Sequence, residues 1–176
     1  MDIKQIVAES RASIVKSDLE VLLNMAKSFD IRNILEIGTW KGYSAEVWIK
    51  AFFPNKFVTI EKEPKFSDAV EIKNINHKYF WNTNSHSNEI KFNTELYDFL
   101  FIDGDHSYGG VKKDFEMYSP LVKKGGLIVF HDIIYVSNDV NAPVQVKFLW
   151  DELKLKYNYL EIKTDQSSTG MGVLFI

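Results

Sequence analysis

The sequence predicts an open α/β fold, in which a mostly parallel sheet is covered by helices on both faces. Three observations support this prediction. Short continuous apolar runs, such as residues 99–102 and 127–130, are typical of strands that are buried on both faces. Segments with helical periodicity separate most of these runs, as the crossover connections of parallel strands require. The last two apolar runs have no helix between them, so we expect the final strand to enter antiparallel.

Periodicity assigns each element in chain order. Residues 2–29 have helical spacing, and Ser17 with Glu20 forms a candidate capping box, so we expect two helices with a break near Ser17. Continuous apolar runs predict the strands, and prolines mark the ends of helices. The predicted strands cover residues 33–37, 57–60, 79–83, 99–102, 127–130, 159–163 and 173–176. The predicted helices between them cover residues 42–51, 65–73, 110–118 and 143–157.

The composition is typical of one globular domain. The chain has 176 residues, of which 45% are apolar and 26% are charged. We therefore expect a single domain over residues 1–176, with N-terminal helices over 1–29 and a core over 30–176. The chain has no cysteine, which excludes disulfides, thiolate nucleophiles and cysteine-ligated zinc.

Charge and hydropathy exclude several kinds of partner. The net charge is −3, whereas domains that bind nucleic acid usually have a basic excess. No apolar run approaches the roughly 20 residues of a transmembrane helix, and the N-terminus lacks the apolar core of a signal peptide. We expect no nucleic-acid partner, no membrane association and a cytoplasmic location.

A glycine turn follows the first predicted strand. Glu36 stands two residues before Gly38, and Gly42 precedes the next helix. The pattern departs from the dinucleotide fingerprint G-x-G-x-x-G, and the bulky Trp40 would obstruct a pyrophosphate. An acid beside a glycine turn favours a cationic ligand. The alternative is an ordinary strand-to-helix turn with a solvated Glu36.

Glu61 ends the second predicted strand. A carboxylate at this place can accept hydrogen bonds from both hydroxyls of a ribose. The alternative interpretation is an exposed charge cluster formed by Glu61 with the two charged residues that follow it.

Acids and histidines follow two later strands, which are expected to be neighbours. Asp103, Asp105 and His106 follow the strand over 99–102, whereas His131 and Asp132 follow the strand over 127–130. Such a group binds a divalent cation or moves protons. The alternative is that the two strand-ending acids cap turns and the histidines only fill space.

Together these motifs resemble class I S-adenosylmethionine-dependent methyltransferases. The residues concerned are Glu36-Ile37-Gly38-Thr39 with Gly42, Glu61, the run Phe101 to Tyr108, and the run Gly125 to Asp132. More narrowly, the run D-G-D-H-S-Y is similar to that of small O-methyltransferases related to sugar O-methyltransferases and to cephalosporin-hydroxylase-like proteins. The resemblance implies a Rossmann-like seven-stranded sheet in the order 3-2-1-4-5-7-6, with strand 7 antiparallel.

The same resemblance implies roles for individual residues. The implied cofactor contacts are Glu36, Gly38, Thr39 and Ser44 at the methionine and sulfonium end, Glu61 at the ribose, Asn84 and Ser85 near the adenine, and Asp103. Asp103, His131 and Asp132 are the implied metal ligands. Many metal-dependent relatives have a carboxylate where His131 stands, and imidazole suits Mn²⁺, Fe²⁺ or Zn²⁺ better than Mg²⁺. The candidate acid–base residues are His106, Asp105 and His131.

The resulting hypothesis is O-methylation of a small hydroxylated acceptor, such as a sugar or a related metabolite, with S-adenosylmethionine and a divalent metal such as Mg²⁺ or Mn²⁺. Residues 132–142 either line an acceptor pocket or form a plain crossover loop. A homo-oligomer, in which a second protomer helps to close the site, is a further possibility. The alternative functions are a non-catalytic module that binds S-adenosylmethionine and a hydroxylase-like enzyme of the same branch.

Overall fold

A seven-stranded mixed sheet forms the centre of the molecule. The computed structural model of the protein describes residues 2–74, 76–87 and 96–176. The sheet has the order β3-β2-β1-β4-β5-β7-β6, and β7 is antiparallel to both of its neighbours. The predicted strand order and the antiparallel last strand are therefore confirmed. The strands are β1 Asn33–Ile37, β2 Lys56–Ile60, β3 His77–Phe80, β4 Tyr97–Ile102, β5 Val122–His131, β6 Asn158–Ile162 and β7 Met171–Phe175.

Helices cover both faces of the sheet, as predicted. The described residues form the helices α1 Ile3–Glu9, α2 Lys16–Ala26, α3 Tyr43–Phe52, α4 Tyr108–Tyr118 and α5 Val146–Leu153. Apolar side chains of α1, α2 and α3 pack on one face with Ile34 of β1, whereas those of α4 and α5 pack on the other face with Leu35. Adjacent residues of one strand thus contribute to opposite cores, because successive side chains point to opposite faces.

Two sequence-based predictions about local structure are wrong. Residues 65–73 form no helix, because their backbone N–H groups bond to other parts of the fold. Val70 donates its N–H to the carbonyl of Lys41, and Ile72 donates its N–H to the hydroxyl of Tyr79. The predicted capping box is also absent, because α2 begins one residue before Ser17 and its N-cap, Val15, makes no side-chain bond. The hydroxyl of Ser17 instead lies 2.6 Å from that of a threonine beyond β6.

The topology brings the polar ends of four strands together. The strands β1, β2, β4 and β5 are parallel and adjacent, so their carboxyl ends share one edge of the sheet. Gly38, Glu61, Asp103 and His131 therefore lie at this edge. Ligands of open α/β sheets bind outside the carboxyl ends of the strands, where neighbouring connections diverge to opposite faces.

Candidate functional site

The turn after β1 requires glycine. Gly38 has a φ of +94°, and a Cβ at this position would lie 2.2 Å from the carbonyl oxygen of Asp103. Its N–H donates to the carbonyl of Ile60 at 2.9 Å, while the N–H of Asp103 donates to the carbonyl of Ile37 at 2.8 Å. The ends of β1, β2 and β4 are thus joined by backbone contacts that leave no room for a side chain.

A cavity of about 430 Å³ opens above this turn. Its volume is in the range of small-molecule and cofactor sites. The sequence-predicted residues on its wall are Gly38, Thr39, Ser44, Glu61, Asn84, Ser85, Asp103, Asp105 and His106. The connection between α1 and α2 also contributes Ala12, Ser13 and Ile14 to the wall.

Glu61 is held firmly in the cavity wall. Its Oε2 accepts the N–H of Trp40 at 2.6 Å, and its Oε1 accepts the N–H of Glu63 at 3.0 Å. Glu61 is buried, although the two charged residues after it are exposed. The structure therefore disfavours an exposed charge cluster at Glu61. Each carboxylate oxygen has lone pairs that remain for a ligand hydroxyl.

Glu36 lies beneath the cavity and is not among its lining residues. The indole N–H of Trp48 donates to its Oε1 at 3.0 Å, and the hydroxyl of Thr59 donates to its Oε2 at 2.6 Å. Burial raises the pKa of Glu36 to about 7, although the hydrogen bonds from Thr59, Ser44 and Trp48 oppose this increase. Glu36 is therefore neither solvated nor on the cavity wall. Hydrogen bonds connect it to two residues of the wall, directly to Ser44 and through Thr59 to Thr39.

Two acids and two histidines meet at the ends of β4 and β5. His106 Nε2 lies 3.1 Å from Asp103 Oδ1 and 3.3 Å from Asp132 Oδ2. His131 Nδ1 lies 3.2 Å and 3.5 Å from the same two oxygens. Asp132 has a φ of +61°, a left-handed conformation that aspartate tolerates better than most residues. The structure thus brings together the predicted metal ligands Asp103, His131 and Asp132, with His106 beside them.

The acids and histidines of this cluster shift one another's pKa. Burial raises the pKa of Asp103, but His131 and His106 oppose this effect more strongly, so its pKa is lowered to about 2. Burial lowers the pKa of His131, but the two adjacent carboxylates raise it to about 10. The hydrogen bond to Asp103 also raises the pKa of His106.

Thr169 is a member of this site that sequence reasoning missed. Its hydroxyl lies 3.1 Å from Nε2 of His131, on the ring edge that points away from the acids. The carbonyl of Thr169 also accepts the N–H of Ile134 at 2.9 Å, which fixes the β6–β7 connection against the end of β5. Thr169 and His131 are 38 positions apart in the sequence, so only the sheet topology brings them together.

A second missed group anchors the wall after β3. Asp114 of α4 is fully buried, and its Oδ1 lies 3.1 Å from Nε2 of His86. The hydroxyl of Tyr118, one turn further along α4, donates to the carbonyl of Ser85 at 2.5 Å. Both Ser85 and His86 line the cavity. The helix α4 therefore fixes the position of this wall from behind.

The loop over residues 132–142 does not line this cavity. A bridge between Ser137 and Val144 closes it into a hairpin-like turn. Directly after it, Gln145 donates its N–H to the carbonyl of His106 at 2.7 Å. The chain that follows the loop thus fixes the backbone at His106.

Residues 35–133, more than half of the chain, match the family model described as a methyltransferase domain. An uncharacterised protein of Acanthamoeba polyphaga mimivirus is 26% identical in an alignment of 154 residues, and the match covers 74% of this chain and 70% of that protein.

Two solved structures share the fold. One is a Staphylococcus aureus protein with a provisional assignment as a caffeoyl-CoA O-methyltransferase; the match has a TM-score of 0.67 and 21% identity, and covers 98% of this chain and 91% of that chain. The other is the MycE methyltransferase of the mycinamycin pathway, in complex with Mg, S-adenosylhomocysteine (SAH) and mycinamycin VI. It has a TM-score of 0.67 and 15% identity, and the match covers 99% of this chain and 54% of that chain.

Proposed function

Because this chain belongs to the methyltransferase-domain family, we propose that it transfers a methyl group from S-adenosylmethionine to a hydroxyl oxygen of a small acceptor. The motifs predict that the chain is a class I S-adenosylmethionine-dependent methyltransferase. The family model and the fold confirm this prediction. The proposal includes one domain over residues 1–176, a small-molecule acceptor and a cytoplasmic location. Among the described residues, no helix is both long enough and apolar enough to cross a membrane.

One observation carries the proposal: the cavity and the acid–histidine cluster share two residues. Asp103 and His106 lie in the cavity wall and also make the contacts that hold the cluster together. A ligand in the cavity is therefore adjacent to groups that can bind a cation or accept a proton. A module that only binds a cofactor needs no such cluster, so this arrangement favours an enzyme.

The cavity wall suits an adenosyl sulfonium compound. Glu61 supplies a fixed carboxylate for the ribose hydroxyls, and Ser85 lies on the wall assigned to the adenine. Gly38, Thr39 and Ser44 are assigned to the methionine end, where the glycine leaves the backbone free to approach a ligand. Nearby carboxylates favour the cationic sulfonium over a phosphate.

The donor set at the strand ends fits a divalent cation. Asp103, His131 and Asp132 each offer a ligand atom, and these atoms all lie within 4.8 Å of one another. When bound, such an ion lowers the pKa of a coordinated hydroxyl, while S-adenosylmethionine supplies the methyl group. The MycE complex contains Mg together with SAH, which supports a divalent cation in a methyltransferase of this fold.

The residues of the chain then have two tasks. They hold the acceptor oxygen in line with the methyl group, since methyl transfer depends mainly on alignment. They also accept the proton of the acceptor, for which His106, Asp105 and His131 are the candidates. Asp105 lies in the cavity wall, and its Oδ1 is oriented by the N–H of Ser107 at 2.9 Å.

A methyl-transfer assay tests this proposal. The protein is incubated with S-adenosylmethionine labelled on the methyl group and with sugars and other small alcohols, with Mg²⁺, with Mn²⁺ or with a chelator. We expect label on oxygen, stimulation by metal, and loss of that stimulation in Asp103→Asn. The matched control is Asp30→Asn, which removes an exposed carboxylate that precedes β1 at the opposite edge. Transfer that is undiminished in Asp103→Asn would contradict the assigned role of the cluster.

A further inference from the structure

The four side chains at the ends of β4 and β5 form a closed ring. Carboxylate oxygens of Asp103 and Asp132 alternate in it with ring nitrogens of His106 and His131. The four sides of this ring are 3.1, 3.3, 3.5 and 3.2 Å long. His106 therefore contacts the same two oxygens as His131, and it does so at slightly shorter distances.

These distances are those expected between neighbouring ligands of one small cation. Ligand atoms that lie about 2.0 to 2.2 Å from one ion are separated from each other by about 2.8 to 3.1 Å where they are at right angles, and by about 3.3 to 3.6 Å in a tetrahedron. The sides of the ring require little movement to reach these values. A cation at the centre would replace all four direct contacts with bonds to metal.

The orientation of His131 already suits metal binding. Its Nε2 faces the hydroxyl of Thr169 at 3.1 Å, so this nitrogen can donate its hydrogen to Thr169 while the lone pair of Nδ1 points into the ring. Ligating histidines in proteins almost always donate their other N–H in this way, which fixes the tautomer. The bond from Gln145 N–H to the carbonyl of His106 in turn fixes the backbone of the second histidine.

We propose that His106 is a fourth metal ligand, and that the site formed with Asp103, His131 and Asp132 selects Mn²⁺, Fe²⁺, Co²⁺ or Zn²⁺ over Mg²⁺. This inference rests on the metal site of the proposed function and deepens it. Two imidazoles in one site favour these ions, because Mg²⁺ prefers oxygen ligands and water. His106 is then no longer available as a base, and Asp105, in the same cavity wall but outside the ring, takes the proton of the acceptor.

Calorimetry with metal ions alone tests the proposal. Protein freed of metal with a chelator is titrated with MnCl₂, CoCl₂, ZnCl₂ and MgCl₂. We expect one site that binds Co²⁺ and Zn²⁺ at least tenfold more tightly than Mg²⁺, and a loss of at least tenfold in Co²⁺ affinity in His106→Ala. His77→Ala is the matched control, since it removes an imidazole from β3, outside the ring. If His106→Ala fails to fold, as judged by circular dichroism, His106→Gln replaces it.

Cobalt absorption provides a second measurement. We expect the visible spectrum of the Co²⁺ protein to change when His106 is replaced and to be unaltered in His77→Ala. Wild-type Co²⁺ affinity in the His106 variants, or equal affinities for Mg²⁺ and Co²⁺ in the wild type, would overturn the proposal.

Titration of the same samples with SAH separates the two proposals. SAH binding without binding of any transition ion refutes the metal assignment and leaves methyl transfer in place. Metal binding as expected, without SAH binding, refutes the methyltransferase function and leaves the metal site in place.

Discussion

Replacement of Glu36 by glutamine tests whether a titrating carboxyl group lies beneath the cavity. Glu36 is fully buried, and burial raises its pKa from 4.5 to about 7. Glutamine has nearly the same shape and retains an amide that can bond to Trp48 and Thr59, but it does not titrate. The comparison of the two proteins therefore isolates the proton of one side chain.

The sign and the size of the effect follow from linkage. The unfolded chain releases the proton of Glu36 near pH 4.5, whereas the folded chain retains it up to about pH 7. The folded state thus binds more protons in this interval, and its stability falls as the pH rises. At 1.36 kcal/mol for each pH unit, the free energy of unfolding loses about 3 kcal/mol across the full interval. Between pH 5 and pH 8.5 the same relation gives a loss of about 2 to 3 kcal/mol.

Urea denaturation of both proteins at several pH values measures this loss. The free energy of unfolding of the wild type minus that of Glu36→Gln should fall by about 2 to 3 kcal/mol from pH 5 to pH 8.5. The indole N–H signal of Trp48, which donates to Glu36, should titrate near pH 7 in the wild type alone. Glu116→Gln, on the exposed side of α4, controls for the loss of one charge. A difference in stability that does not vary with pH would show that Glu36 does not titrate with a raised pKa.

Three further substitutions test the walls of the site. Gly38→Ala should lower the free energy of unfolding by about 2 kcal/mol or more, because the positive φ of Gly38 and the nearby backbone both exclude a Cβ. In the control Gly109→Ala the added Cβ would have no atom within 4 Å, so we expect no loss of stability. Asp114→Asn should weaken SAH binding three- to tenfold in calorimetry, roughly the loss expected when one ordinary hydrogen bond of about 1 kcal/mol is removed. Wild-type affinity would contradict the anchoring role, and Glu116→Gln is the control on the same helix. Thr169→Val should weaken Co²⁺ binding about tenfold to a hundredfold, since the ligating histidine loses its hydrogen-bond partner, and an unchanged Kd would count against this role.

Elements with strong local patterns could be predicted from the sequence. The continuous apolar runs of β1, β4 and β5 specify buried strands, and each ends at a glycine, an acid or a histidine that the backbone then exposes at one edge. Because parallel strands share the direction of their carboxyl ends, Glu61, Asp103 and His131 were expected to converge, and they do. The wall positions of Gly38 and Ser85 were expected for the same reason.

Contacts that depend on tertiary structure could not be predicted in this way. Thr169 and Asp114 have no local signature of their roles, since each contacts a residue that is distant in sequence. The segment over 65–73 has a proline-initiated helical pattern, yet its backbone N–H groups bond to the glycine turn and to β3. The burial of Glu36 was also missed, because the sequence does not show whether an acid near the end of a strand points into the cavity or into the core beneath it.

Glu61 is the group through which we expect the cavity to bind an adenosyl compound. Calorimetric titration of the protein with SAH and with NAD tests this expectation most directly, with Glu61→Gln as the variant and Asp30→Asn as the control for charge. We predict micromolar binding of SAH, no binding of NAD, and SAH binding at least tenfold weaker in Glu61→Gln than in Asp30→Asn. An absence of SAH binding in the wild type, with and without Mn²⁺, would contradict the account.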